Sequence, residues 1–234
     1  MKMNKAILPA VLLLTSYITV NAQIIKFGGK KFELVNVTAS IKDFNGQKVL
    51  KVERDLQKLP FDIARLESTV DEPTFVKLKV LDFENGTIEV KMYSDIQNPS
   101  PFKGAAGFIG VAFRIDENNT AFESIYLRPK VGRSSDQLRR NHTVQYYAYP
   151  FPKFDTLRKT APGKYEGAAP VALKEWITMR IEVNGETAEM FINNARYSTF
   201  IVDKMLGKTK HGAIGLWVDI GTVGYFKDLK VIKK

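Results

Sequence analysis

The sequence predicts an all-β protein built as an antiparallel sandwich of two sheets. Three observations lead to this class. Short segments of alternating apolar and polar residues recur along the chain, turn signals rich in Gly, Asn and Pro separate them, and no long segment has the spacing of an amphipathic helix. In such a sandwich each strand buries one row of side chains against the facing sheet. A short helix is expected at residues 203–206 alone.

The first 22 residues have the pattern of a secretory signal peptide. Lys2 and Lys5 precede an apolar run at residues 6–14, and the small residue Ala22 ends the segment before Gln23. The apolar run is too short to span a bilayer. We therefore expect a secreted or periplasmic mature chain of residues 23–234, folded as one domain and not spanning a membrane.

The composition excludes several kinds of site. The chain has no cysteine, which removes disulfides, thiolate nucleophiles and cysteine-bound zinc. Its two histidines, His142 and His211, are isolated, so neither a metal nor another cofactor is expected. The formal net charge of +10 favours anionic partners such as an acidic glycan or a membrane surface. Nucleic acid is not an expected partner, because no nucleic-acid recognition motif occurs.

Strands are predicted in order along the first half of the chain. The pair Asn45-Gly46 favours a tight turn that joins residues 32–37 to residues 47–52 as an edge hairpin. Further strands are predicted at residues 74–80, 87–94 and 107–114. The last of these is apolar on both faces, as in a central strand, and Gly110 within it leaves room for a close approach.

The second half continues the pattern. Strands are predicted at residues 122–128, 143–149, 176–184, 187–192, 195–202, 212–218 and 225–232. Residues 150–170 interrupt them with four prolines and several aromatic residues. Long loops are either functional or disordered, and the aromatic content favours a functional lid.

The stretch at residues 122–149 carries the side chains most suited to a ligand. Alternation places Phe122, Ser124, Tyr126 and Arg128 on one face of a strand. Planar hydrogen-bonding groups beside aromatic rings suit a ligand with hydroxyls and C–H surface, so a sugar is the predicted ligand. The candidate binding residues are Arg114, Tyr126, Arg128, Arg139, Arg140, Asn141, His142, Gln145 and Tyr147. The alternative is a solvated loop with a structural network of ion pairs.

Several segments resemble the concanavalin A-like lectin/glucanase superfamily. They are WITMRIEVNG at residues 176–185, EMFIN at 189–193, HGAIGLWV at 211–218, GYFKDLKV at 224–231 and FENGTIEVK at 83–91. Laminin G-like modules and bacterial domains related to 3-keto-disaccharide hydrolases share these patterns. The resemblance covers most of residues 32–234. It implies a two-sheet antiparallel jelly-roll in which a sugar commonly lies on the concave face of one sheet.

The sequence leaves enzymatic activity open. A glycoside hydrolase uses two facing carboxyl groups. Within the superfamily that this chain resembles, the laminarinase-like glucanases carry the motif Glu-x-Asp-x-x-Glu, and this chain lacks it. Glu123 and Asp136 are the carboxylates nearest to the predicted groove and are the catalytic candidates. Glu123 shares its row with apolar residues, however, so it can also be a structural carboxylate that binds an arginine.

The sequence therefore predicts a secreted carbohydrate-binding protein that holds a glycan in a concave groove of a sheet. The alternatives are a glycoside hydrolase-like enzyme that uses the same groove, and an adhesion or assembly module that binds a protein or an anionic surface.

Overall fold

The computed structural model describes residues 23–234, so the predicted signal peptide lies outside the described residues. Within this range the strands form two antiparallel sheets. The larger sheet has the spatial order β1 (Ile24–Phe27), β2 (Lys30–Val35), β5 (Phe75–Leu78), β14 (Ala213–Val218), β7 (Ile109–Ile115), β8 (Phe122–Leu127), β9 (Val144–Tyr149) and β10 (Glu166–Gly167). The smaller sheet has the order β13 (Phe200–Val202), β12 (Thr187–Ile192), β11 (Ile177–Asn184), β6 (Gly86–Ile96), β15 (Thr222–Lys233), β4 (Gln47–Arg54) and β3 (Val37–Phe44). The predicted all-β sandwich is confirmed.

Short helices interrupt the strands. In the described range they are α1 (Leu66–Thr69), α2 (Gln137–Arg140) and α3 (Phe154–Thr160), with 3-10 turns at Ile63–Arg65 and Pro129–Val131. The helix predicted at residues 203–206 is wrong, because this segment is a bend followed by irregular chain. Helix α3 was not predicted, since two turns are too short for a helical period to be recognised in sequence.

The predicted hairpin of residues 32–37 with residues 47–52 is only half right. The Asn45-Gly46 turn does join two strands, and both residues have the positive φ angles that such a turn requires. The partner of β4 is β3, however, and β2 belongs to the larger sheet. Asn36 causes the difference: its φ of 51° turns the chain between β2 and β3, and asparagine adopts this conformation more readily than most residues.

The main core lies between the two sheets. A Cβ atom added at Gly224 of the smaller sheet would lie 2.6 Å from Val218 and 3.4 Å from Ile109, so these side chains of the larger sheet point into the sandwich. Because side chains alternate along a strand, Trp217 and Tyr126 lie on the opposite face. We call this face, which points away from the smaller sheet, the outer face of the larger sheet.

Two irregular segments, residues 55–74 and 150–165, pack against the outer face. The Trp217 indole N–H donates to the Glu72 carbonyl over 2.8 Å, and the Phe154 ring lies 5.7 Å from the Arg128 guanidinium at the end of β8. The Lys153 ammonium donates to the Val70 carbonyl over 2.9 Å and so joins the two segments. Trp217 and Tyr126 are consequently buried, although they do not face the smaller sheet. The outer face is therefore the floor of a second, thinner layer, and the candidate site lies within that layer.

Candidate functional site

A cavity of 280 Å³ lies where the outer face of the larger sheet meets the two covering segments. Aromatic rings and charged side chains line it together. The rings are those of Phe102, Phe108, Tyr126 and Phe154, and the charged or titratable groups are those of Asp71, Arg128, Arg139, His142, Arg158 and Asp219. The volume is close to the lower end of the range for ligand pockets, roughly 300–1,000 Å³, so the cavity can hold a small ligand or one end of a longer one.

Arg128 is held rigidly at the floor of the cavity. It follows β8 directly, and its guanidinium donates to the Tyr126 hydroxyl over 2.6 Å, to the Gln145 side-chain oxygen over 3.3 Å and to the His142 carbonyl over 2.9 Å. The same group lies 5.7 Å from the centre of the Phe154 ring. A guanidinium has five N–H donors. Three are used here, which leaves two without a partner among residues 23–234.

Asp71 is a buried carboxylic acid in the cavity wall. It is 2% exposed, and its Oδ2 accepts from the Phe154 backbone N–H over 3.1 Å. Burial, and then the negative charge of Asp219, raise the pKa of Asp71 to about 7, although Arg128 partly opposes this. Asp71 therefore gains and loses its proton near neutral pH.

Asp219 and Arg54 fix the segment that carries Asp71. The Asp219 carboxylate accepts from the Asp71 backbone N–H over 2.9 Å and from the Arg54 guanidinium over 2.7 Å. Arg54 also donates to the Thr69 carbonyl over 2.7 Å. Asp71 itself has a φ of 55°, a conformation that asparagine and aspartate tolerate better than most residues. These bonds position the Asp71 side chain against the cavity.

Glu166 organises one rim of the cavity. Its Oε2 lies 2.6 Å from His142 Nδ1 and 2.7 Å from Arg158 Nη2. Burial opposes the ionisation of Glu166, but the hydrogen bonds and charges of Arg158 and His142 outweigh it, so the pKa of Glu166 lies below its ordinary value. The Glu166 carboxylate thereby orients two cavity-lining side chains from β10, the edge strand of the larger sheet.

The structure brings together four of the nine predicted binding residues. Tyr126, Arg128, Arg139 and His142 line the cavity. Gln145 and Tyr147 are buried behind it: Gln145 bonds Arg128, and the Tyr147 ring packs 5.8 Å from the Tyr126 ring.

The other three predicted binding residues lie outside the cavity. Arg114 is bound by the carbonyls of Glu84 and Gly185, because a bulge in β7 turns its side chain towards the ends of β6 and β11. Arg140 donates to the Ser134 carbonyl over 3.0 Å. Asn141 accepts from the Gln137 side chain over 2.7 Å.

The two candidate catalytic carboxylates are also placed outside the cavity. Glu123 points into the sandwich, where it accepts from the Tyr146 hydroxyl and from the Gly207 backbone N–H. Burial raises the pKa of Glu123. The Asp136 side chain caps helix α2 by accepting from the Leu138 backbone N–H over 2.9 Å. Both carboxylates thus have structural partners.

Most of the cavity lining was not among the sequence candidates, and it includes three charged or titratable residues, Asp71, Arg158 and Asp219, and the aromatic residue Phe154. Phe154 and Arg158 belong to helix α3, inside the loop for which a functional role was predicted. Asp219 could have been noticed in the sequence, because it is a charged residue directly after the apolar run of β14. Across residues 23–234, no three His, Asp or Glu side chains converge in a way that could hold a metal ion.

Comparisons with known proteins identify the class of this sandwich. No protein-family profile and no curated protein matches the sequence. Among solved structures, the chain is similar to the carbohydrate-binding module CBM66 from Bacillus subtilis, with 11% sequence identity and a TM-score of 0.50, over 84% of this chain and 94% of that one. The chain has a concanavalin A-like jelly-roll fold.

Two further structures are similar to this jelly-roll. A β-glucanase from Bacillus licheniformis has 10% identity and a TM-score of 0.44, with 94% of this chain and 95% of that chain covered. The galectin LEC-6 from Caenorhabditis elegans has 14% identity and a TM-score of 0.37, with 67% and 91% covered. At these identities the likeness concerns the fold alone. The two antiparallel sheets and the likeness to the Bacillus subtilis module confirm the jelly-roll fold that the sequence predicts.

Proposed function

We propose that this jelly-roll is a secreted carbohydrate-binding protein and that its glycan lies in the cavity around Arg128. The fixed guanidinium of Arg128 carries the proposal, because it presents free donors between the rings of Tyr126 and Phe154. Aromatic rings pack against the C–H faces of a sugar, while guanidinium groups donate to its oxygens. The similar Bacillus subtilis structure is itself a carbohydrate-binding module.

The charges of the cavity favour a sugar that carries a carboxylate. Arg128, Arg139 and Arg158 line the cavity, but Arg158 is paired with Glu166 over 2.7 Å, so Arg128 and Arg139 contribute two uncompensated positive charges. Of the two carboxyl groups there, Asp219 is already bound by Arg54, and Asp71 is about half protonated at neutral pH because its pKa is about 7. The balance is positive, so a uronic acid, whose carboxylate can accept two parallel bonds from one guanidinium, is the preferred ligand class.

Isothermal titration calorimetry with oligogalacturonate and with a neutral xylo-oligosaccharide tests the proposal. Arg139 and Arg140 provide a matched pair, since both lie in α2 but Arg139 alone lines the cavity. We expect Arg139→Ala to weaken binding of the acidic sugar by about fivefold, in the range of a partly exposed charge pair. Arg140→Ala should bind like the unchanged protein. Equal losses in both variants, or no binding of either sugar, would contradict the proposal.

One observation supports a glycoside hydrolase as the second candidate function. Asp71 lines the cavity with a pKa near 7, which suits a general acid at neutral pH. Release of reducing sugar from a polysaccharide, abolished by Asp71→Asn but unaffected by Glu123→Gln, would establish this function with Asp71 as the acid. Binding without any release of sugar would leave the protein as a binding module.

The cellular location belongs to the same proposal. The basic start, short apolar run and small residues of the first 22 residues support export. Within residues 23–234 there is no helix of sufficient length and apolar character to cross a bilayer. Amino-terminal sequencing of the protein recovered from the periplasm or the medium should give Gln23 as the first residue. An uncleaved chain that remains in the cytoplasm would contradict export.

A further inference from the structure

Within residues 23–234, the His142 imidazole is the accessible proton-transfer group in the lining of the cavity around Arg128. The carboxyl groups of Asp71 and Asp219 also line this cavity, but each residue is only 2% exposed, and Asp219 is bound by Arg54. The side chain of His142 is 26% exposed. The described lining therefore presents no accessible pair of carboxyl groups such as the hydrolysis of a glycoside requires.

Glu166 fixes the tautomer of His142. The Glu166 Oε2 atom lies 2.6 Å from His142 Nδ1, and it also accepts from Arg158 Nη2 over 2.7 Å. Because a carboxylate only accepts hydrogen bonds, Nδ1 carries the hydrogen, and Nε2 of the neutral ring carries the lone pair. Nε2 has no hydrogen-bond partner in the described range, and it is not one of the buried unpartnered atoms. It is therefore free to act as a general base.

Arg128 lies beside this base. Its guanidinium donates to the His142 carbonyl over 2.9 Å, and its other hydrogen-bond partners, the Tyr126 hydroxyl and the Gln145 side-chain oxygen, are also uncharged. Its Nε atom has no partner among residues 23–234, yet it is not one of the buried unpartnered atoms, so it faces open space. A cation with an accessible donor and an oriented base therefore adjoin in one cavity.

We propose that the protein is a polysaccharide lyase that cleaves a 4-linked uronate in this cavity by β-elimination. The inference rests on the proposed binding of an acidic glycan at Arg128. A guanidinium bound to the carboxylate of a uronate makes the hydrogen on the adjacent ring carbon, C5, more acidic, because it stabilises the negative charge that develops on the carboxylate as the C–H bond breaks. The base must then stand beside the cation, as His142 does.

This elimination balances without a co-reactant. His142 Nε2 takes the proton from C5, the electron pair of the C5–H bond forms a C4=C5 double bond, and the bond from C4 to the glycosidic oxygen breaks. The imidazolium, whose charge Glu166 stabilises, then returns the proton to that oxygen.

The use of one proton-transfer group selects the substrate. A single imidazole can serve both C5 and the oxygen on C4 only where the C5–H and C4–O bonds lie on the same face of the sugar ring. Mannuronate and glucuronate have this arrangement, whereas galacturonate has the two bonds on opposite faces. The substrate is therefore a 4-linked mannuronate or glucuronate.

Ultraviolet absorbance and mass spectrometry of the products test the reaction. Elimination leaves a C=C bond conjugated with the carboxylate, which absorbs in the ultraviolet, and the fragments together have the mass of the substrate. Hydrolysis adds the mass of a water molecule. With oligomannuronate or oligoglucuronate we expect the conjugated product, whereas oligogalacturonate should bind in calorimetry and remain intact.

The two histidines provide a matched pair of variants. His211 Nδ1 lies 2.7 Å from Asp82, much as His142 Nδ1 lies beside Glu166, but His211 does not line the cavity. His142→Gln keeps a donor for Glu166 and should slow turnover by about 10²–10⁴-fold, the usual contribution of a general base. The same variant should still bind oligomannuronate in calorimetry, which also shows that it folds. His211→Gln should leave binding and turnover unchanged.

Three results would overturn the lyase. The first is calorimetric binding of these uronates without any conjugated product, which would leave the proposed glycan binding intact. The second is equal turnover by His142→Gln and the unchanged protein. The third is a set of fragments that carry an added water, which would assign the cleavage to a hydrolase. Absence of binding to every uronate would refute the proposed function as well.

Discussion

Replacement of Asp71 by asparagine tests the electrostatics of the sugar cavity. The change keeps an oxygen that can accept from the Phe154 N–H and a residue type that tolerates the φ of 55°. The change removes the ionisable carboxyl group, so the side chain at position 71 no longer binds or releases a proton. The pKa of Asp71 is raised from 3.8 to about 7, and at about 1.4 kcal/mol per pKa unit this corresponds to roughly 4 kcal/mol.

The sign of the effect follows from linkage. Because the folded state holds the Asp71 proton more tightly than the unfolded state, Asp71 favours folding most at low pH, and this contribution is lost as the pH rises from about 4 to about 7. An asparagine side chain in its place does not titrate. The free energy of unfolding of Asp71→Asn, minus that of the unchanged protein, should therefore increase from pH 4 to pH 7 and stay constant above pH 7.

Urea denaturation at pH 5, 6, 7 and 8 measures this difference. Asp62→Asn is the control: the hydrogen bond from Arg65 holds the pKa of Asp62 below its ordinary value, so the difference for that variant should not change over this range. A difference for Asp71→Asn that is equally constant from pH 5 to pH 8 would show that Asp71 is ionised throughout, and the reasoning would fail.

Three more outcomes are expected. Arg54→Met should destabilise the fold by about 3–5 kcal/mol in urea denaturation, because it leaves the buried Asp219 carboxylate without its cation; a loss below about 1 kcal/mol would contradict the pairing. Gly110→Ala should cost about 1–3 kcal/mol, since its Cβ would lie 2.3 Å from the Ile125 carbonyl oxygen, and unchanged thermal stability would refute this contact. Binding of an acidic oligosaccharide should tighten between pH 8 and pH 6 as Asp71 becomes protonated, whereas binding of a neutral one should not; the opposite trend in calorimetry would count against a positive cavity.

The alternation of side chains was sufficient to predict most of the sandwich. Segment 107–114 was predicted to be a central strand because both of its faces are apolar, and β7 does lie between β14 and β8 with every residue buried. The room that Gly110 leaves is filled by the backbone of β8 itself. Alternation could not show which sheet a strand joins. The positive φ of Asn36, which sends β2 and β3 to different sheets, has no pattern in the sequence.

The candidate site was predictable where it lies on strands and their ends. Tyr126 and Arg128 were expected on one face, and in the structure they are hydrogen bonded to each other in the cavity wall. Arg139, Arg140 and Asn141 could not be separated by sequence, because their directions depend on how helix α2 is capped and packed. Asp71 could not be predicted as a site residue for another reason. It is held at the cavity by the hydrogen bond from its backbone N–H to Asp219, which is 148 residues away in the sequence.

The most direct test of the central claim is a map of the arginine side chains during a sugar titration. The Arg128 Nε–H is one of the donors left free in the cavity, and Arg180, whose guanidinium lies 3.9 Å from the Phe191 ring on the smaller sheet, provides an internal reference. In ¹H–¹⁵N spectra with oligogalacturonate, we expect the Nε–H signals of Arg128, Arg139 and Arg158 to shift and saturate together, while that of Arg180 stays fixed. Saturating shifts confined to Arg180 and its neighbours would contradict a glycan site at the cavity.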